Sequence, residues 1–268
     1  MQAMTSRSAA ARRVAAVCGR ELGEMRKSPA FTALVAVFGA LAVGISVGTG
    51  LLLRSVLRHT AGLDAPAIDE IVRGVVSGLL VENSLYAVTM LPYSLIVWVF
   101  ATALVMREKL TGNLETLLAT PLDLSEIWLG KTLAFAAVST GTGWLCGALV
   151  LVSAHAIVAA ALSRFVLLVS APAAVAAGLL NPLFFSGMCA LIILIALVKD
   201  ADASLLPSFL IGMGAMIGLP VAIGTGAIAI GSWVFCLYQL CAAGALWLAV
   251  IVLLLRSKKE RVVLSARQ

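Results

Sequence analysis

The sequence predicts an all-α polytopic membrane protein with six transmembrane helices and both termini in the cytoplasm. Three observations predict it. Of the 268 residues, 62% are hydrophobic and only 12% charged, with a mean hydropathy of +1.08, whereas soluble domains run about 45–50% apolar and 25% charged. Apolar stretches of about 20 residues, enough for a helix to cross a hydrocarbon core of roughly 30 Å, recur along the chain. The basic residues crowd the two ends, where they act as a topology signal; they form no stripe with interleaved aromatics, so a nucleic-acid partner is not expected.

Taken in order, residues 1–29 are expected to form a cytoplasmic amino-terminal segment. It carries Arg7, Arg12, Arg13, Arg20, Arg26 and Lys27 but no apolar core followed by a cleavage site, so it is not read as a signal peptide. Residues 30–255 form the six-helix transmembrane domain. Five spans are plain: Ala30 to Leu53, Ser84 to Met106, Thr132 to Val152, Leu205 to Ile230 and Ser232 to Leu255. The stretch from His155 to Val198 is too long for one span and too short for two. Residues 256–268 are a basic cytoplasmic tail with Arg256, Lys258, Lys259, Arg261 and Arg267.

Two basic ends on one side require an even number of crossings, so His155 to Val198 crosses once, at about Leu179 to Val198. With six spans, fifteen of the nineteen Lys and Arg fall inside and only Arg54, Arg58, Arg73 and Arg164 outside. Residues 155–178, with Arg164 and Pro172, then read either as a helix on the outer membrane face or as the start of a long fourth helix beginning near Phe165. The outer loop 54–83 holds another short helix. Ile68, Ile71, Val72, Val75, Val76, Leu79 and Leu80 repeat at helical spacing opposite Asp69, Glu70 and Arg73, which fits a helix on the outer leaflet or packed on the bundle.

The fifth span is interrupted by Pro207, Pro220 and Gly224-Thr225-Gly226. Such breaks occur in membranes where protein or a cavity satisfies the freed backbone groups, so residues 220–230 read either as a re-entrant segment between helices 5 and 6 or as a packing site. Small residues at four-residue spacing, Gly44/Gly48, Gly143/Gly147 and Gly214/Gly218, allow helix backbones to approach closely.

The most organised polar stretch is the loop 107–131 between the second and third spans. Leu110, Leu114, Leu117 and Leu118 line one helical face, and Thr120-Pro121 ends that helix. Asp123 with Glu126 three residues on has the form of a capping box that opens the third span. The string Arg107-Glu108, Gly112, Leu114-Glu115, Leu117-Leu118, Thr120-Pro121 and then Gly130-Lys131 resembles the signature of ABC-2 type permeases, the membrane subunits of a class of ABC transporters. Arg20-Glu21-Leu22 to Arg26-Lys27-Ser28-Pro29 is similar to that family's amino-terminal interface helix.

The resemblance implies that the loop is a coupling helix, docking into a groove on a separate cytosolic nucleotide-binding subunit. Arg107, Glu108, Gly112, Leu114, Glu115, Leu117, Leu118 and Pro121 would then be the coupling residues, with the leucines as anchors and Glu108 and Glu115 in polar contacts. It also implies a second permease copy or a related permease as partner, and a multi-pass location in the plasma membrane of a prokaryote. The expected function is the permease subunit of an ATP-driven exporter; the alternative is an ATP-independent scaffold or channel subunit.

No catalytic chemistry is expected in this chain, and no cofactor or metal. Gly130-Lys131-Thr132 supplies the end of a phosphate-binding loop, but Ser125 stands where its first glycine belongs. ATP and magnesium are therefore expected in the partner subunit. His59 and His155 belong to no zinc pattern, and the five cysteines show no CxxC spacing.

Overall fold

The computed structural model describes residues 2–59, 68, 70–95, 107–108, 111, 120, 122–198, 214, 217–218, 221–222, 225 and 228–257, and among these no strand occurs. The chain is an α-helical, multi-pass membrane protein by length and composition of its helices. Among the described residues, five helices are long and apolar enough to cross a membrane. The expected fifth span, Leu205 to Ile230, lies outside the described residues apart from isolated positions.

Helix α1, Gln2–Lys27, ends on Arg26 and Lys27, where positive charge complements the carbonyl end of the helix dipole. Ser28 closes it and opens the next helix: its N–H donates to Met25 O at 3.0 Å, while its hydroxyl accepts the Phe31 N–H at 3.4 Å. Pro29 follows as first residue of α2, Pro29–His59, the position where a missing N–H costs nothing. Val37, Leu41, Val47 and Leu51 lie exposed along α2, as expected of a surface that meets lipid or another membrane helix.

Residues Val72–Glu82 form a π-helical segment that runs directly into α3, Asn83–Leu95, with Asn83 still in right-handed helical geometry. The outer-loop helix is therefore packed on the bundle and continuous with the second span. Val72, Val76 and Val81 are buried with Leu53, Ala154, Val158 and Leu168. Val72 and Val76 of its apolar stripe are covered by protein while Val75 is exposed, so part of the stripe packs on the bundle. The candidate span accordingly begins at Gly74, ten residues before the predicted Ser84.

Helix α4, Leu124–Leu162, is much longer than the predicted third span. Its 39 residues reach about 58 Å at 1.5 Å each, nearly twice a hydrocarbon core. It starts where the capping box was predicted, with the Asp123 N–H donating to Glu126 Oε2 at 3.1 Å. It ends at Ser163, in left-handed geometry at φ 52°.

This corrects the reading of residues 155–178. His155 to Leu162 belong to α4, and 163–170 form a non-helical strap across the end of the bundle. The fourth span starts at Ala171, neither at Leu179 nor near Phe165. Local chemistry sets that start: the Ser170 hydroxyl accepts the Ala173 N–H at 3.4 Å and Pro172 sits in the first turn. Helix α5, Ala171–Val175, a π-helical turn, Ala176–Leu180, and α6, Asn181–Val198, then form one run. Helix α7, Trp233–Arg256, begins under a Ser232 cap, at the predicted start of the last span.

Of the three glycine pairs, only Gly143/Gly147 makes a close approach. A Cβ on Gly143 would stand 2.9 Å from Thr89 O, and one on Gly147 would stand 2.9 Å from Thr89 Cγ2. Gly44, Gly48, Gly214 and Gly218 have open space at that position. The spacing allows close packing, but only a facing helix makes use of it.

Candidate functional site: a buried charge triad at the start of α4

Lys131 sits two turns into α4, in a helix otherwise composed for lipid, and it is 0% exposed. An isolated ammonium there would be very costly, so it must be paired and hydrogen-bonded. Both partners come from other parts of the chain. The Nζ donates to Glu21 Oε1 on α1 at 2.6 Å and to Glu108 Oε1 at 2.8 Å, and Glu108 Oε2 lies equally close at 2.8 Å. Glu21 and Glu108 are themselves buried.

The triad therefore joins three elements at one point: the amino-terminal helix, the start of the 107–131 loop and the third span. Two carboxylates share a single ammonium, leaving one excess negative charge out of water. Burial, with Glu108 adding to it, pushes the Glu21 carboxyl above its usual range despite the pull of Lys131.

A second tie lies close by. Arg13 on α1 donates from Nε to both Glu126 oxygens at 3.0 Å and from a terminal nitrogen to Oε1 at 2.6 Å. Glu126 thus caps α4 and anchors α1 with the same carboxylate. Between the two ties, Gly130 lets α1 come close: a Cβ there would lie 2.7 Å from Val17 Cβ. Trp128 extends the joint to the fourth span, its indole N–H donating to Ala190 O at 2.8 Å.

Of the eight predicted coupling residues, Arg107 and Glu108 are described; Gly112, Leu114, Glu115, Leu117, Leu118 and Pro121 lie outside the described residues. Arg107 is exposed and Glu108 is buried. The Thr111 N–H donates to Arg107 O at 3.0 Å, so the loop begins in a helical turn. Glu108 points into this chain's own interior and holds Lys131, a role different from an outward polar contact. Sequence reading placed Lys131 as a topology charge and within the Gly130-Lys131 motif, and Glu21 only within a motif. The available signal was the cost of an ammonium so near an apolar span, which demands partners but does not name them.

Within the bundle, a polar network links three further elements. The Asn181 amide donates to Thr89 Oγ1 at 3.0 Å, and the Gln239 amide donates to Asn181 Oδ1 at 2.7 Å and to the Tyr86 hydroxyl at 3.1 Å. Gln239 Oε1 is buried without a partner. Asn181 is 0% exposed and is the hub. Replacing it by Leu strands donors and acceptors on both neighbours, so Asn181→Leu is expected to destabilise the bundle by about 1–3 kcal/mol. Unfolding in mixed micelles checks this, with Ser186→Leu on the exposed side of α6 as the control.

The five cysteines are free thiols, and no group of His, Cys, Asp or Glu among the described residues could hold a metal. What the fold defines is a helical multi-pass membrane protein with a buried charged joint at one end. Comparison with known protein families, characterised proteins and solved structures finds no match.

Proposed function

We propose that this chain is the transmembrane permease subunit of an ATP-driven ABC exporter. In this reading it has six spans with both termini in the cytoplasm of a prokaryotic cell, and it pairs with a second permease. A separate cytosolic subunit binds ATP and magnesium, and the loop 107–131 docks on that subunit.

The observation that supports it best is the Lys131–Glu21–Glu108 triad. A coupling loop must transmit force from a soluble partner to membrane helices, and that requires a stiff connection between the loop and the spans. Glu108 sits at the start of the loop and is fixed by charge-assisted hydrogen bonds to the third span and, through Lys131, to α1. In this proposal Glu108 is a positioning residue. Glu115 and the leucines 114, 117 and 118 make the outward contacts with the ATPase. Rigid-body rocking of two such permeases gives alternating access.

The test is gentle extraction of the natural complex, recovery of a nucleotide-binding subunit and measurement of its ATPase rate. Glu115→Lys is expected to lower ATPase activity of the reconstituted complex at least tenfold while the protein still inserts in the membrane. Recovery of no such subunit, or unchanged ATPase activity in the variant, would overturn the reading in favour of an ATP-independent scaffold or channel.

A further inference from the structure

At the end of the bundle opposite α1, the strap 163–170 borders two adjoining cavities whose linings share Leu167, Val169 and Ser170. The larger is a groove of about 500 Å³ between α3, α4 and the start of the fourth span. It is lined by Trp144, Ala148, Leu151, Ala174, Ala177 and Gly178, so its surface is almost wholly apolar. The second, of about 470 Å³, is bordered by Ser77, Gly78, Val166, Gly231 and the carboxylate of Glu82.

Glu82 is the unusual group. It is 5% exposed at the junction of the π-helical segment and α3. Its Oε1 accepts the Ser170 N–H at 2.8 Å. Among the described residues no lysine or arginine forms an ion pair with it. The main chain gives way to its other oxygen, since a Cβ on Gly231 would fall 2.5 Å from Oε2. A buried carboxylate beside a cavity and without a cation is costly, and in a membrane protein such a group marks a ligand site whose partner carries the opposite charge.

The strap that builds the site is itself held in place. The Ser77 hydroxyl donates to Leu168 O at 2.8 Å. His155 donates from Nδ1 to Leu151 O at 2.8 Å and accepts the Leu168 N–H at Nε2. Both ring nitrogens of His155 are therefore occupied within the chain. That leaves Glu82 as the charged group facing the smaller cavity.

We infer that the two cavities form one site for a cationic amphiphile, with a protonated amine on Glu82 and its alkyl chain in the groove of Trp144, Leu151 and Ala174. A hydrated inorganic cation would use the carboxylate but leave the groove unexplained; a plain lipid tail would use the groove but leave the carboxylate unpaired. Because lipid tails are about as apolar as the groove, the chain contributes placement and the charged head contributes selection. The site is complete within one chain and does not depend on coupling to an ATPase.

The test uses the purified full chain in phosphatidylcholine nanodiscs and a dodecylamine analogue carrying a diazirine in its chain. Photolabelling is expected to map to residues 144–151 and 167–178. Unlabelled dodecylamine should compete, and dodecyl sulfate and dodecyl maltoside should not. Glu82→Gln is expected to weaken amine competition at least tenfold, and Ala174→Trp to remove labelling by filling the groove. Equal competition by the sulfate or the maltoside on the unaltered protein would overturn the assignment without any variant. Unchanged amine affinity in a folded Glu82→Gln protein, or labelling spread evenly over the lipid-facing helices, would also overturn it.

Discussion

Lys131→Met is expected to destabilise the protein by about 3–5 kcal/mol, the usual consequence of removing one partner from a buried charge cluster. The substitution keeps the apolar stem and removes only the ammonium, so the loss is electrostatic. Glu21 and Glu108, both buried, are left facing one another without the ammonium that pairs them. The double variant Lys131→Met with Glu21→Gln is expected to recover part of the loss, because one of the two stranded charges goes with it.

The effect has a pH signature. In the unaltered protein the Glu21 carboxyl is raised, first by burial. The folded state therefore holds a proton more tightly than the unfolded chain. Stability contributed by this group is greatest at acid pH and falls as pH rises from the ordinary carboxylate range through the raised folded value. With the ammonium gone that raising grows, so the penalty in Lys131→Met should be smallest at acid pH and widen toward neutrality. Unfolding in mixed micelles at a series of pH values checks both size and slope; a loss that did not depend on pH would show that packing, and not charge, holds this joint.

Gly143→Leu is expected to cost about 3 kcal/mol, at the upper end of overpacking in a filled core. The reason is the identity of the neighbour. An added Cβ meets the carbonyl oxygen of Thr89 at 2.9 Å, and backbone cannot swing aside as a side chain can. Helices α3 and α4 must separate, which also disturbs the Thr89–Asn181 hydrogen bond. Gly44→Ala provides the contrast. That position has open space, so the substitution removes only the helix penalty of glycine and should be neutral or stabilising by up to about 1 kcal/mol. Thermal unfolding of the two variants in the same nanodiscs measures the difference, and equal behaviour would contradict the close approach.

By itself, the sequence determined the class of fold. Apolar length named α2, α4 and α7 as membrane helices because a helix must hide its own backbone polar groups in lipid, and that demand is local, whereas the fourth span was read from the basic ends. Short-range chemistry was legible for the same reason: the Asp123–Glu126 start of α4 involves atoms within four residues. Tertiary structure alone decided the rest. Whether Val72–Glu82 lay on a leaflet or on the bundle depended on Leu53, Ala154 and Val158 from other helices. The boundary between third and fourth spans turned on one left-handed residue, Ser163, in a run where hydropathy hardly changes. The charged joint joins residues 110 and 23 positions apart, Glu21 and Glu108 with Lys131. Burial makes a cation's need for partners certain, but only the packing of α1 against α4, permitted by Gly130, chose which carboxylates would meet it.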